Sequence, residues 1–202
     1  AEEFGEWLQT VRGDTEVIVS ETRPVPLYQH VLFGNRLIDL FGEGQRLNPE
    51  LTKLERDAYR KIKGNWRDKP RGPRSLTRPE VIEKLERESL LPAITFIFSR
   101  NSCDAAVRQC IASGIRLTNG KERQEIRDVV SRNIKSLAEE DLVVLGYYEW
   151  ADALERGVAA HHAGLLPAFK VTVEELFQRG LVKAVFATET LALGINMPAR
   201  TV

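Results

Sequence analysis

Three apolar runs in this chain end abruptly in residues that can hold an anion. AITFIF (93–98) runs into Ser99-Arg100, GVAA (157–160) into His161-His162-Ala163-Gly164, and LVKAVFA (181–187) into Thr188-Glu189-Thr190. Hydroxyls and backbone N–H groups at helix starts donate to phosphate oxygens, and an arginine can do so through two parallel hydrogen bonds. Side by side, these ends would present hydroxyls, a guanidinium, two imidazoles and a helix N-terminus on one surface. Such a set suits an anionic polymer better than a small neutral substrate.

Each group also has a plainer role. Arg100 suits a surface position beside a strand, and Ser99 and Ser102 suit helix caps, Ser102 more than Ser99. Adjacent histidines such as His161 and His162 usually divide into one packed and one solvated ring, and no third metal ligand stands near them. Glu189 and Thr188 suit the turn that follows them. Motifs of a self-sufficient active site are missing: the sequence has no GxxxxGK[ST], no GxGxxG after a strand and no GxSxG. The missing glycine fingerprint disfavours a cofactor or nucleotide-sugar enzyme on a Rossmann-like sheet.

The elements that must position these residues follow a strand–helix alternation. AITFIF is a continuous, partly β-branched apolar run of the kind buried in a parallel sheet. A helix is expected over 102–112, and another after Asn119, where Glu122 completes a capping box. Further helix is expected over 137–157, a short strand over 157–162, a helix from Pro167 to about Gly180, and a strand over 181–187; ARTV (199–202) begins another. Such alternation predicts an α/β fold, a parallel sheet with helices on both faces. Ligands of such sheets gather beyond the carboxyl ends of the strands, where the three polar endings lie.

Upstream the pattern differs. EVIVSE (16–21) reads as a strand, and the runs 23–33 and 36–41, joined by Gly34-Asn35, as a projecting hairpin. Asn48-Pro49 opens a helix to about Arg60, and Thr77 with Glu80 caps another that lasts to 90 or 91. Between them lies 61–78, rich in Gly, Pro, Lys and Arg, which reads as a mobile linker or as a nucleic-acid contact with Trp66 stacked on a base. Three parts are expected: 1–45 with the hairpin, a helical linker 46–91, and an α/β domain 92–202.

Bulk composition narrows the class. An apolar share of 43% with 29% charged residues describes a globular protein able to bury a core. The 29 basic residues balance 29 acidic ones, which argues against a wholly basic nucleic-acid binder but not against a local basic surface. No run reaches membrane-spanning length, so no membrane partner is expected. AEEFGEWLQTV has the wrong character for a signal peptide, and the missing initiator methionine suggests an excised piece. Cys103 and Cys110, seven apart on one helix face, would sit roughly 10 Å apart, so buried free thiols in a cytoplasmic setting are expected.

FIFSR (96–100), AAHHAGLLP (159–167) and VFATETLALGINMPARTV (185–202) resemble the fourth, intermediate and fifth motifs of superkiller-like DExH-box RNA helicases of superfamily II. VSETRPVPLYQHVLF (19–33) resembles the connector that leaves their first RecA-like domain, and AEEFGEWL the helix just after that domain's third motif. The likeness spans nearly the whole chain and is looser over 42–91 and 118–155. It implies the end of the first RecA-like domain, a connector, and an incomplete second RecA-like domain.

By that likeness Ser99, Arg100 and Thr188 contact backbone phosphates, and Gly164 and Leu165 lie along the same track. Gly194 and Asn196 face ATP across the cleft, and Glu189 couples the two sites. Ala163 stands where related helicases often carry a basic residue, so no strong side-chain contact is expected there. The phosphate loop and the DExH carboxylates that hold ATP and Mg²⁺ would lie upstream, and the arginine-bearing sixth motif downstream. No catalytic residue is therefore expected in the chain, which alone should hydrolyse no ATP. The partners implied are RNA, the remaining helicase domains and an RNA-degradation complex. A DNA helicase of a neighbouring family shares HHAGLL, and RPVPL favours the RNA group. A non-catalytic interaction module is the alternative of another class.

Overall fold

The computed structural model describes residues 2–18, 25–42, 44, 46–63, 75–192 and 197–202. Contacts divide the chain into two units, Ala1–Pro73 and Arg74–Val202.

The first unit contains helix α1 (Glu2–Arg12), a hairpin of β1 (His30–Phe33) and β2 (Arg36–Asp39), and helix α2 (Pro49–Lys63). The hairpin is antiparallel, with Phe33 opposite Arg36 and His30 opposite Asp39. Its turn works because Gly34 adopts φ +59°, which an L side chain resists. Asn48 caps α2 by accepting from the Glu50 N–H at 3.0 Å, and Pro49 follows at the first helical position. The strand expected at 16–21 is absent over its described part, 16–18, where Ile18 is 84% exposed. β-branched residues without a partner strand have nothing to pair with. Residues 61–63, expected in a linker, continue α2, while Trp66 and the rest of the basic stretch to 74 lie outside the described residues.

The second unit opens with α3 (Arg78–Arg87), started by the Thr77–Glu80 capping box. Placed with a linker on sequence grounds, α3 instead buries Ile82 and Leu85 in this unit's core. There follow β3 (Ala93–Phe96), α4 (Arg100–Ala112), α5 (Gly120–Asn133), α6 (Glu139–Val144), α7 (Tyr147–Glu155), β4 (Val158–His161), α8 (Pro167–Gln178) and β5 (Ala184–Ala187). The Asn119–Glu122 box opens α5 as expected. Helical material over 137–157 is split into α6 and α7 at Gly146, whose φ of +68° stops a continuous helix.

The three strands form a parallel sheet in the order β3-β5-β4. Thr201, in the stretch 199–202 expected to begin a further strand, forms a parallel bridge with Ala93 on the side of β3 away from β5. Alternating side chains feed two cores. Val158, Ala160, Ala184 and Phe186 pack with α3 and α4, while Ile94, Ala159, Val185 and Ala187 pack with α5 and α8. Every residue of β4 and β5 is buried, as a parallel sheet with both faces covered requires.

Candidate nucleic-acid interface

Strand register sets the site. Phe96 pairs with Ala187 and Ala187 with His161, so all three strands end on the same rung. The three polar endings therefore leave the sheet together along one edge. β5, which leads to Thr188, is the middle strand, with the endings of β3 and β4 on its two sides.

On the β3 side, Ser99 is the N-cap of α4, and its side chain accepts from the Ser102 N–H at 3.4 Å. The cap is thus Ser99, not Ser102, and the helix starts two residues earlier than its apolar pattern implied. Local hydrogen bonding decided this, because an extended residue with a free oxygen outranks one already inside the first turn. Arg100 becomes the first helical residue and is exposed. Its side chain projects from a helix start where the Ser102 and Cys103 N–H groups are taken by Ser99 and those of Arg100 and Asn101 have no intrahelical acceptor. A guanidinium and free amide hydrogens on one turn suit an anion.

On the β4 side, both histidines are 5% exposed, which corrects the expected division into one packed and one solvated ring. Each is buried because each has its own carboxylate. His161 Nε2 meets Glu174 of α8 at 2.7 Å, and His162 Nε2 meets Asp104 of α4 at 3.0 Å. A carboxylate only accepts, so Nε2 carries a proton in both rings. His161 Nδ1 is buried with no partner among the described residues. The chain then turns through Gly164, whose N–H donates to His162 Nδ1 at 3.1 Å, and Leu165, whose N–H donates to His162 O at 3.1 Å. A Cβ on Gly164 would lie 3.1 Å from His162 Nδ1 and 3.5 Å from Arg100 Cδ, so only glycine fits without displacement. Arg100 and Gly164, 64 residues apart, are thereby neighbours.

In the centre, the Thr188 N–H donates to His161 O at 3.2 Å, tying the end of β5 to β4. Thr188 O accepts from Leu191 N at 3.1 Å, closing the 3₁₀ turn Glu189–Ala192, and Glu189 is exposed at its start. The structure brings Ser99, Arg100, Gly164, Leu165, Thr188 and Glu189 to one edge. Gly194 and Asn196 lie outside the described residues.

Beneath the 162–165 loop lies a cavity of about 280 Å³, lined in part by Asp104, His162, Trp150 and Phe169. Trp150 and Phe169 stack with centroids 4.0 Å apart. Cys103, on the first turn of α4, is fully buried beside Ile97 O, and burial pushes its thiol pKa up. A thiol in that state is no nucleophile for the neighbouring edge. Among the described residues no group of His, Cys, Asp and Glu could hold a metal ion, and no helix is long and apolar enough to cross a membrane. Asp104 and Glu174 were missed by sequence reasoning. They sit 58 and 13 residues from their histidines, and nothing local marks an acidic residue on a helix as a buried partner.

No family model matches the chain. It is 59% identical over its whole length to the probable helicase HelY of Mycobacterium tuberculosis, of which it covers 24%. It is 34% identical over its whole length to the human exosome RNA helicase MTR4, covering 20% of that protein. To the antiviral helicase SKI2 of Saccharomyces cerevisiae it is 40% identical over 65% of the chain and 10% of the relative. The chain thus spans about a quarter or less of the length of these relatives. Its homologues are helicases of the DExH-box, superkiller-like group, and it corresponds to one segment of them.

Proposed function

We propose that the chain is a nucleic-acid-gripping segment of an ATP-dependent RNA helicase: the tail of one RecA-like domain, its connector, and most of the second. The observation that carries this reading is the single rung on which β3, β4 and β5 end. Beyond that rung, Arg100, the start of α4 and Thr188 form a row of donors along one edge, beside the turn at Gly164, whose own N–H is taken by His162 Nδ1. Phosphates repeat along a single strand, so a row of donors suits a strand better than one isolated anion does. Arg100, Ser99 and Thr188 bind phosphate, and backbone groups at Gly164 and Leu165 line the same path. Because these contacts are made to backbone, the grip is indifferent to base sequence.

ATP and Mg²⁺ would be held mainly by the preceding RecA-like domain, with Gly194 and Asn196 facing the nucleotide from this side. Glu189, at the start of the turn that follows Thr188, would couple the two functions. ATP binding closes the cleft and hydrolysis reopens it, so each cycle shifts the grip along the strand. RNA is favoured over DNA by RPVPL at 23–27 and by the names of several relatives. An exosome- or superkiller-type degradation complex is the partner those names suggest, in the cytoplasm.

Comparing unwinding by the full-length gene product on RNA and DNA duplexes with matched overhangs tests the substrate. Preference for the RNA duplex is expected; preference for DNA would move the protein to the neighbouring family. The isolated 202-residue chain should show no ATPase above background, and a measurable rate would overturn the division of labour.

A further inference from the structure

His162 makes two hydrogen bonds that point in different directions. Its Nδ1 accepts from the Gly164 N–H at 3.1 Å, within its own loop. Its Nε2 donates to Asp104 Oδ1 at 3.0 Å, on α4. The first bond needs a lone pair on Nδ1 and the second a proton on Nε2, so one tautomer satisfies both. Asp104 lies four residues after Arg100, one turn along the same helix face. The ring therefore spans from the loop that carries Gly164 and Leu165 to the helix that starts with Ser99 and Arg100. It is 5% exposed, so the loss of either partner strands a polar atom away from water. The closeness of Gly164 to both the imidazole and Arg100 Cδ shows how little slack this joint has.

We propose that His162 is a positioning residue that locks the start of α4 to the 162–165 loop, so that both meet one nucleic-acid strand at a fixed spacing. This rests on the nucleic-acid-facing reading of the edge. The imidazole itself touches no phosphate. It fixes where Arg100 stands relative to the backbone of the loop at Gly164 and Leu165, as a pre-organised site requires. The phosphate spacing of a strand is set by its own covalent structure, so a grip with two anchors loses affinity when the anchors drift apart.

The test is binding of a single-stranded RNA oligonucleotide to the full-length gene product, with thermal unfolding recorded for every variant. Arg100→Ala and His162→Ala should each weaken binding by about tenfold. The double variant should be no more than roughly twofold weaker than Arg100→Ala, because a misplaced arginine has little left to lose. Asp104→Ala cuts the same joint from the helix side and serves if His162→Ala does not fold. Asp104→Asn keeps an oxygen that accepts from Nε2 and should restore most of the binding lost in Asp104→Ala. Losses that simply multiply in the double variant, or no difference between Asp104→Asn and Asp104→Ala, would overturn the positioning role. A silent Arg100→Ala would instead remove the interface reading on which it rests.

Discussion

The two units of this chain both combine helices and strands but differ sharply in their cores. Among the side chains whose burial is described, which exclude those of 58–63, Ile38 is the only buried hydrophobic one in Ala1–Pro73, while Phe4, Trp7, Leu27 and Tyr28 are each more than half exposed. In Arg74–Val202 two clusters sandwich the sheet, and Phe177, Phe186, Ile126 and Leu154 are fully buried. A two-stranded hairpin and short helices are marginal alone. Among the described side chains, the first unit thus shows little apolar core of its own. The second unit has one, because a parallel sheet covered on both faces closes its core.

The largest test of that contrast is truncation of a core side chain. Phe186→Ala should cost about 3–5 kcal/mol, whereas Tyr28→Ala should stay within about 0.5 kcal/mol. Denaturant unfolding of the two variants compares them, and equal losses would erase the distinction. Next comes thiol chemistry, which reports how tightly the second unit is closed. Burial pushes the Cys110 thiol up to about 11 and leaves no exposed surface on the residue. Its alkylation in the native protein at neutral pH should be about a hundredfold slower than in the denatured one, since each pKa unit removes a factor of ten in thiolate. Mass spectrometry after timed iodoacetamide treatment would measure it, and similar rates would mean that the core opens readily.

The smallest effect concerns how α5 and α8 are held together. The Arg132 hydrogen bond, helped by Asn133 and Arg179, keeps the Glu175 carboxyl below its ordinary range against the opposing effect of burial. A lowered folded pKa gives stability that is present above the unfolded value, about 4.3, and lost as pH falls through the folded one. Glu175→Gln should cost about 0.5–1 kcal/mol at pH 7, a deficit that shrinks as the solution is acidified below about pH 4. A deficit that stays constant with pH would assign the contribution of Glu175 to packing.

Much of the second unit was legible before its structure. AITFIF, GVAAHH and LVKAVFA announced a parallel sheet, although the strand in AITFIF stops at Phe96 and Phe98 is 93% exposed, and Thr77-Glu80 and Asn119-Glu122 marked helix starts, because these signals are local. The candidate edge was legible as three polar endings, but their order in the sheet and their shared rung were not. Register is set by packing across the whole unit. EVIVSE misled over its described part because strand propensity needs a neighbouring strand to express itself. The burial of His161 and His162 could not be read from sequence either, since it depends on carboxylates supplied by other helices.

The central place of β5 also has a mechanical meaning. If a strand is pulled while held at Thr188, the load enters the sheet through its middle member and passes at once into the ladders with β3 and β4. Force along a parallel ladder shears its hydrogen bonds together, whereas force on an edge peels them one at a time. The same traction applied at Arg100 would enter through β3, which among the described residues has one full ladder and the Thr201 bridge. On the proposed reading of Thr188 as a phosphate contact, that contact would bear load better than one at Arg100.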